Sequence, residues 1–425
     1  MKPEIKERID KINRGQVPEG YKKSKFGIIP EDWDIKKLKE VTDYVDYRGK
    51  TPRKVAEGVF LVTAKNIKEG YIDYNISKEY VSEEEYDLIM KRGKPKIGDV
   101  LFTTEAPLGN VAQVDRENIA LAQRVIKFRG KNNLSNDYLK YYLLGEIFQS
   151  LLKNKAIGST VLGIQGKQLH NLEICVPLIE EQQKIADILS TWDKAIELKE
   201  KLIEQKKELM QKLLTGEVRL PGYKYSWKVY TIEQLAEFFT DGDWIEAPYI
   251  TEDGVLLIQT GNIGIGEYIE KNNMKFISEK SFIELNCTEV KPGDILICRL
   301  ADPIGRSCIV PNTGMKMITA VDVAIFRVNN NLAVTEFINY KLNLPKTLRK
   351  MDSLGAGSTR KRISRKNLGK VKLTIPDLEE QKAIVDILLQ IEKNIVLLEK
   401  ELGELKKQKK GLMQLLLTGK VRVKV

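Results

Sequence analysis

The chain has 425 residues, of which 42% are hydrophobic, and its 70 Lys and Arg exceed its 59 Asp and Glu to give a formal charge of +11. This length predicts two or three domains, and the positive excess is typical of a polyanionic partner, most often nucleic acid. A single histidine, His170, cannot build a His-rich metal site, and four scattered cysteines without CxxC spacing give no pattern for structural zinc.

The same composition bears on where the protein works. Scattered cysteines in a long chain indicate a reducing compartment, and no apolar run in the sequence reaches the length of a membrane span. The N-terminal residues have mixed charges and no apolar core, unlike a signal peptide. We therefore expect a cytoplasmic protein without a membrane partner, in which His170 has a structural role.

The first segment of the chain, residues 1–24, resembles the end of a helix found twice more in the sequence. Gly15-Gln16-Val17 and Gly20-Tyr21-Lys22 recur as Gly216-Glu217-Val218 and Gly222-Tyr223-Lys224. This third, partial copy predicts a cyclic repeat whose two termini lie close together.

Two globular repeats share matched segments in the same order. Gly98-Asp99-Val100-Leu101 corresponds to Gly293-Asp294-Ile295-Leu296, and Lys65-Asn66-Ile67 corresponds to Gly261-Asn262-Ile263. Mixed strands and short helices, separated by Gly-Asp and Gly-Asn turns, are expected in both repeats. The predicted layout is globular repeat, helix, globular repeat, helix.

A long helical pattern follows each repeat. Residues 174–185 return 199 positions later as residues 373–384, and acidic residues after Pro177 and Pro376 favour a helix start there. The two helix ends, at Leu213-Leu214-Thr215 and Leu416-Leu417-Thr418, are 203 positions apart. The second helix is therefore predicted to be about four residues, or one turn, longer.

Apolar residues along both helices alternate at spacings of three and four, which is the period of a coiled coil. We expect the helices to pair antiparallel as a spacer of roughly 50 Å. This length is on the order of 15 base pairs of duplex. The alternative is a helical hairpin that does not set any distance. The predicted helix interface consists of Ile185, Leu189, Trp192, Ile196, Ile203, Met210, Leu213, Ile384, Leu388, Ile391, Ile395, Leu398, Leu402, Leu405 and Leu412.

The densest positive charge lies at residues 353–376, with seven Lys or Arg and no acid. Its glycine-rich start suits a phosphate backbone, although a solvated surface is the alternative. Residues 48–54 form a milder basic segment in the first repeat. Because Arg124 is opposite Asp322 in the repeat alignment, the two repeats present different side chains, as readers of different sequences require. The predicted nucleic-acid contacts are Arg360, Lys361, Arg362, Arg365, Lys366, Arg299, Arg306, Asn262, Lys50, Arg53, Lys54, Lys65, Asn66 and Arg124.

The sequence contains neither a P-loop nor the Asn/Asp-Pro-Pro-Tyr/Phe motif of amino-methyltransferases. Residues 376–382 resemble a nuclease Pro-Asp and Glu-x-Lys set, but the acids crowd into one turn, and Leu178 replaces Asp377 in the first copy. Two other classes of protein stay open: a nuclease or methyltransferase with unrecognised motifs, and a coiled-coil scaffold whose basic loops bind acidic proteins.

Three motifs match a known family: the twin Pro-x-x-x-Glu-Gln helix starts, the twin Leu-Leu-Thr-Gly-x-Val-Arg helix ends, and Gly-Ile-Ile-Pro-Glu-Asp-Trp at residues 27–33. With these motifs, essentially the whole chain resembles the specificity subunit of type I restriction-modification systems. The implied fold class is α+β, with two mixed α/β target-recognition domains related by an internal pseudo-two-fold repeat and separated by two long helices that form an antiparallel coiled coil. The implied boundaries are 1–176 and 220–375 for the two domains, the first including the partial spacer repeat 1–24, and 177–219 and 376–425 for the spacer helices.

The resemblance implies that each domain reads one half of a bipartite site on double-stranded DNA. The helices would set the spacing between the halves and dock two methyltransferase (modification) subunits, and restriction subunits would add translocation and cleavage. No catalytic residue, cofactor or metal is then expected on this chain, with S-adenosylmethionine, ATP and Mg on the partner subunits. The family's recognition domains vary too much to supply base-contacting residues, so the contacts above rest on charge and repeat position.

Overall fold

A computed structural model describes residues 2–47, 52–158, 160–357 and 360–424. The chain divides into two compact units. Unit 1 comprises Met1–Lys199 and Glu401–Val425, and unit 2 comprises Glu200–Lys400. Each unit holds one globular repeat and parts of both long helices.

The first repeat is a mixed α+β domain. Its helices are α1 (Pro3–Asn13), α2 (Leu38–Val41), α3 (Glu83–Ile89), α4 (Asn136–Leu144), α5 (Glu146–Lys155) and α6 (Gly166–His170). Its strands are β1 (Tyr21–Ser24), β2 (Gly27–Pro30), β3 (Asp34–Lys37), β4 (Thr42–Asp46), β5 (Val59–Val62), β6 (Tyr80–Val81), β7 (Val100–Thr104), β8 (Leu108–Gln113), β9 (Ile119–Leu121), β10 (Val125–Gly130) and β11 (Glu173–Val176). The first long helix, α7 (Ile179–Thr215), follows.

The second repeat is also a mixed α+β domain. Its strands are β12 (Lys228–Thr231), β13 (Ala236–Asp241), β14 (Ile250–Thr251), β15 (Val255–Ile258), β16 (Lys275–Ile277), β17 (Ile295–Cys298), β18 (Ser307–Ile309), β19 (Met317–Thr319), β20 (Val323–Val328) and β21 (Lys372–Ile375). Its helices are α8 (Glu279–Glu284), α9 (Thr335–Leu342), α10 (Pro345–Ser353) and α11 (Arg365–Gly369), and the second long helix is α12 (Leu378–Leu416).

Sheet topology confirms the internal duplication. The antiparallel sheet of unit 1 has the order β4-β10-β7-β8, and that of unit 2 has the matching order β13-β20-β17-β18. A parallel pair also recurs, as β5 with β9 and as β15 with β19. In unit 1 the large side chains of Phe102, Phe128 and Phe148 pack in one buried cluster with residues of α4 and α7. The start of the long helix is therefore part of the core of its unit.

The matched Gly-Asp pairs begin equivalent strands, β7 and β17. Gly98 and Gly293 have φ angles of 86° and 90°, a left-handed conformation that favours glycine. The Asp99 carboxylate accepts hydrogen bonds from Arg129 at 2.6 and 2.7 Å, which ties the turn to the neighbouring strand β10. Asp294 and Arg327 form the same bidentate pair at 2.8 Å. These pairs are turn chemistry, reinforced by a charge-assisted bond that the sequence pattern did not indicate.

A buried glutamate fixes the start of each long helix. Glu181 accepts a hydrogen bond from the Trp33 indole at 2.9 Å and two from Arg422 at 2.7 and 2.8 Å. We call this arrangement of Glu, Trp and Arg the carboxylate clamp. Its copy in unit 2 consists of Glu380, Trp227 and Arg219, with distances of 3.2 Å to the indole and 2.7 Å to the guanidinium.

The glutamine that follows each clamp glutamate joins the helix start to the loop before it. Gln182 accepts from the Ser135 backbone N–H at 2.9 Å and donates to the Asn133 carbonyl at 2.8 Å. Gln381 likewise accepts from the Val334 N–H at 2.9 Å. The duplicated Glu-Gln pair therefore holds each helix on its globular repeat.

The two long helices contact each other in both units. In unit 1 Lys199 pairs with Glu401 at 2.5 Å and Asp193 pairs with Lys409, so residue numbers rise along α7 as they fall along α12. In unit 2 a 2.8 Å pair joins the two helices through Lys207 and Glu399. The predicted length difference was wrong by two residues, because α7 has 37 residues and α12 has 39. Thr418, the counterpart of Thr215, lies in the turn after α12.

All fifteen apolar residues predicted for the helix interface are removed from solvent to some degree. Eight are buried, namely Ile185, Leu189, Ile203, Leu213, Ile384, Leu388, Ile391 and Ile395. The other seven are half-buried, namely Trp192, Ile196, Met210, Leu398, Leu402, Leu405 and Leu412.

The two ends of the chain meet in unit 1, where the Tyr21 hydroxyl donates to the Gly419 carbonyl at 2.9 Å.

Candidate nucleic-acid interface

Residues 354–357 and 360–364 of the basic segment lie between α10 and α11 and return to the central sheet of unit 2. Arg362 forms backbone bridges with Ala356 across the loop and with Leu300, just after β17. Arg365 begins α11, and Lys366 follows it on the exposed side. The segment is therefore held at the end of the antiparallel sheet by backbone hydrogen bonds.

Two aspartates from elsewhere in unit 2, Asp241 at the end of β13 and Asp322 in the turn before β20, hold the arginines of this segment. Arg362 lies 3.1 Å from Asp322, and Arg360, whose side chain is 77% exposed, reaches within 4.0 Å of the same carboxylate. Arg365 lies 3.9 Å from Asp241, the last residue of β13. The sequence segment 353–376 contains no acid between its basic residues. The fold brings Asp241 and Asp322 to these arginines from other parts of the chain. Local composition could not reveal this pairing.

Arg299 lies beneath these groups at the end of β17. Arg299 is 4% exposed, and its guanidinium donates to the Val321 carbonyl and lies 3.3 Å from Asp241. Burial lowers the pKa of this guanidinium, and Asp241 opposes the effect. We call Arg299, Arg360, Arg362 and Arg365, together with Asp241 and Asp322, the arginine cluster. It brings together four of the eight residues predicted in unit 2.

Three other residues predicted as nucleic-acid contacts bond within the fold. The Arg306 guanidinium donates to the backbone carbonyls of Thr260, Ile263, Leu300 and Pro303 at 2.9–3.3 Å. Asn262 accepts from the Gln259 N–H and donates to the Ile269 carbonyl. Asn66, fully buried in unit 1, accepts from the Thr63 N–H and donates to the Asp73 and Ile76 carbonyls. In this conformation the side chains of these three residues stabilise loops.

The predicted contacts of unit 1 are more dispersed. Arg53 and Lys65 are exposed, and Lys54 pairs with Glu79 at 2.8 Å. Arg124 has a φ of 80° and pairs with Glu105 at 2.6 Å near the end of β7. Lys50 lies outside the described residues. Unit 1 thus brings together Arg124 and an acid where unit 2 has a cluster of four arginines.

The loop equivalent to the basic segment is apolar in unit 1. Bridges from Gly163 to Ile157 and Glu105 match those of Arg362 in unit 2. Val161 and Leu162 occupy the positions of Arg360 and Lys361, and they are 54% and 47% exposed. The two repeats therefore present chemically different side chains from the same scaffold position, one apolar and the other cationic.

The other titratable residues that the sequence singled out, His170 and Asp377, make contacts within the fold. Among the described residues, no group of three or more His, Cys, Asp or Glu is arranged to hold a metal ion. The His170 ring is buried and stacks on Tyr44 with centroids 3.5 Å apart. The nuclease-like Asp377 accepts the Glu380 backbone N–H at 2.9 Å, as a helix cap does. Within the described parts of the chain, no helix is long and apolar enough to cross a membrane.

Comparison with known proteins assigns a family to this duplicated fold. The model of the type I restriction modification DNA specificity domain matches residues 30–207 and 225–407. The MjaX specificity subunit of Methanocaldococcus jannaschii, described as a putative type I restriction enzyme, is 31% identical over 96% of this chain and 97% of its own. The MjaVIII specificity subunit of the same organism is 27% identical over 93% and 94%.

Solved structures share the fold at lower identity. A chain from work on complex assembly and conformational transition of the type I R-M system has a TM-score of 0.55 at 20% identity, covering 92% of this chain and 99% of that one. The S subunit from M. genitalium has a TM-score of 0.50 at 16% identity, covering 92% and 96%. The chain belongs to the type I restriction-modification specificity family. It is a DNA sequence-recognition subunit, and catalysis is not its role.

Proposed function

We propose that each globular repeat reads one half of a bipartite site on double-stranded DNA. The observation that carries this proposal is the contrast at one scaffold position, where the loop of unit 2 presents Arg360 and Lys361 and that of unit 1 presents Val161 and Leu162. Arginine donates to guanine edges and phosphates, whereas aliphatic groups contact the thymine methyl. A duplicated scaffold with unlike surfaces is what recognition of two different half-sites requires.

The long helices serve in this proposal as an antiparallel coiled coil that sets the distance between the half-sites. Support comes from the burial of the alternating apolar residues and from the ion pairs Lys199–Glu401 and Lys207–Glu399. A coiled coil resists bending over its length, so the number of helical turns between the repeats fixes the unread gap.

The same helices dock two modification subunits. Their outer surfaces carry aliphatic side chains that are 39–67% exposed, namely Leu198, Leu202, Leu209, Leu389, Val396 and Leu397. Apolar side chains gathered on two otherwise charged helices are typical of a surface covered by protein. The partner subunits hold S-adenosylmethionine, ATP and Mg, and the assembly works in the cytoplasm.

Binding to defined duplexes tests the proposal. The complex with modification subunits is titrated with a duplex that carries the motif methylated in the host, and with duplexes in which either half, or neither, is kept. We expect each single-half duplex to bind on the order of 1,000-fold more weakly than the intact site, as non-specific DNA does. Equal binding of intact and single-half duplexes would contradict two-part reading, and binding to acidic proteins but to no duplex would favour the scaffold.

A further inference from the structure

The loop after β13 holds an exposed indole three residues after Asp241 of the arginine cluster. Trp244 is 71% exposed, whereas Trp33 in the clamp of unit 1 is fully buried. Tryptophan is enriched at interfaces because its large apolar ring is buried by the partner while its N–H can still find a hydrogen-bond acceptor.

The backbone next to Trp244 is fixed on the sheet of unit 2. The Gly242 N–H donates to the Val323 carbonyl at 2.8 Å, and the Asp243 N–H donates to the Thr319 carbonyl at 2.8 Å. The Asp243 carboxylate accepts the Thr288 N–H at 2.9 Å. A Cβ at Gly242 would lie 2.4 Å from the Ala320 carbonyl, so this close approach needs glycine. The indole therefore projects from an anchored loop.

Cationic groups lie at the same end of the strand. Asp241, three residues before Trp244, faces Arg299 and Arg365, and the Thr240 hydroxyl accepts from Arg365 at 3.2 Å. Arginines neutralise phosphates, and an aromatic ring stacks on any base. A ring exposed three residues after an aspartate that holds two arginines has the chemistry of a nucleic-acid wedge, in which the ring enters the base stack while the cations hold the backbone.

We propose that Trp244 inserts into the base stack of the half-site that unit 2 reads, while Arg360 and Arg365 contact the flanking phosphates. The inference rests on the proposed DNA-reading function and adds deformation of one half-site to it. Pyrimidine–purine steps unstack most easily, so this half-site contains such a step at the point of insertion. In the first repeat the third residue after the equivalent strand β4 is Gly49, so the wedge belongs to one half-site.

The test places 2-aminopurine at successive positions of both half-sites and measures its fluorescence in the complex with modification subunits. The target adenine is left unlabelled, because methyltransferases swing it out of the stack. We expect wild type to raise the fluorescence at one step of the unit 2 half-site and at none of the other. Trp244→Ala should abolish that signal and weaken binding roughly 5- to 100-fold. Trp244→Phe should retain most of both.

Matched variants separate stacking from other roles. Tyr225→Ala removes an aromatic side chain that is 78% exposed beside Arg219, and it should leave both measurements unchanged. Trp244→Leu keeps an apolar side chain without a stacking ring, and it should behave like Trp244→Ala; this comparison also serves if the alanine variant fails to fold.

Three outcomes would overturn the inference. If Trp244→Ala binds DNA and raises the fluorescence as the wild type does, Trp244 does not insert into the base stack, whereas two-part recognition is unaffected. Dissociation of the modification subunits from Trp244→Ala on size exclusion, with the fluorescence intact in the assembled fraction, would assign the indole to a protein interface. A wild-type complex that binds motif and scrambled duplexes equally would overturn the proposed function, and the wedge with it.

Discussion

Arg422 and Glu181, 241 residues apart in the chain, form a bidentate ion pair with distances of 2.7 and 2.8 Å. Their counterparts Arg219 and Glu380 form the same pair at 2.7 Å. In unit 2 the arginine comes from the segment that leads into the repeat, whereas in unit 1 it comes from the end of the chain. The C-terminal residues therefore complete the clamp of the first repeat, as expected for a cyclic arrangement.

Removing the arginine should destabilise its unit, because the Glu181 carboxylate is fully buried and would be left without its charged partner. We expect Arg422→Ala to lower the free energy of unfolding by about 3 kcal/mol in urea denaturation. The control is Lys407→Ala, which breaks an exposed pair with Glu404 and should cost no more than about 0.5 kcal/mol. Equal destabilisation in the two variants would contradict the clamp.

The stability of unit 2 should change with pH in the alkaline range because of Lys341. Its ammonium donates to the Leu214 carbonyl at 2.8 Å, and burial lowers its pKa to about 8. The unfolded chain keeps this proton up to about pH 10.4. Between these values the unfolded state binds more protons, so stability rises with pH; below pH 8 both states are protonated and the burial penalty is fully present.

Comparison with Lys341→Met isolates this effect. From pH 7.5 to 10.5 the wild type should gain about 3 kcal/mol of unfolding free energy relative to the variant. The exposed Lys366→Met serves as control and should follow the wild-type curve. Parallel curves for wild type and Lys341→Met would show that the lysine titrates as an exposed group.

The basic loop of unit 2 should bind phosphates. We expect simultaneous replacement of Arg360, Lys361 and Arg362 with Ala to weaken binding to all duplexes and to reduce the slope of log affinity against log salt by about 0.9 for each phosphate that is no longer neutralised. Lys400→Ala on the exposed side of α12 is the control and should keep the wild-type slope. An unchanged slope in the triple variant would remove the loop from the interface.

Exchange of one repeat should change one half-site. Replacing residues 34–170 with those of another family member leaves Trp33 and Glu181, and so the clamp, in place. Methylation mapping should then show a new sequence in one half of the motif and the old one in the other. A change in both halves would contradict independent reading.

The helices should act as the ruler. Inserting four residues, one turn, into both α7 and α12 keeps their apolar residues in register and lengthens the spacer by about 6 Å, or about two base pairs. The gap in the methylated motif should widen while both half-sites stay the same. A gap of unchanged length would show that another part of the complex sets it.

Patterns in short stretches of sequence predicted the features of the fold that depend on neighbouring residues. The repeat, the helix starts within two residues of Ile179 and Leu378, and the alternating apolar positions were readable because they depend on spacing. Contacts between distant segments were not. The Glu-Gln motif is recognisable in the sequence. Its partners are not, because Trp33 and Arg422, which both bind Glu181, lie far from it in the chain and on opposite sides of it.

Polarity alone also does not distinguish between two roles of a side chain within the repeats. Asn66 and Asn262 recur in matched segments, which fits either DNA reading or loop support, and the structure uses their amides within loops. The sequence did not single out Trp244, because one tryptophan in a loop is not a pattern and only its exposure in the structure, three residues after Asp241, distinguishes it.

Two-part reading by a single chain can be measured by sequencing methylated adenines in a host that expresses this chain with its modification subunit. We expect one motif of two short defined sequences, different from each other and separated by a gap of fixed length and arbitrary sequence. A single continuous motif, or methylation that stays the same when this chain is omitted, would contradict two-part reading.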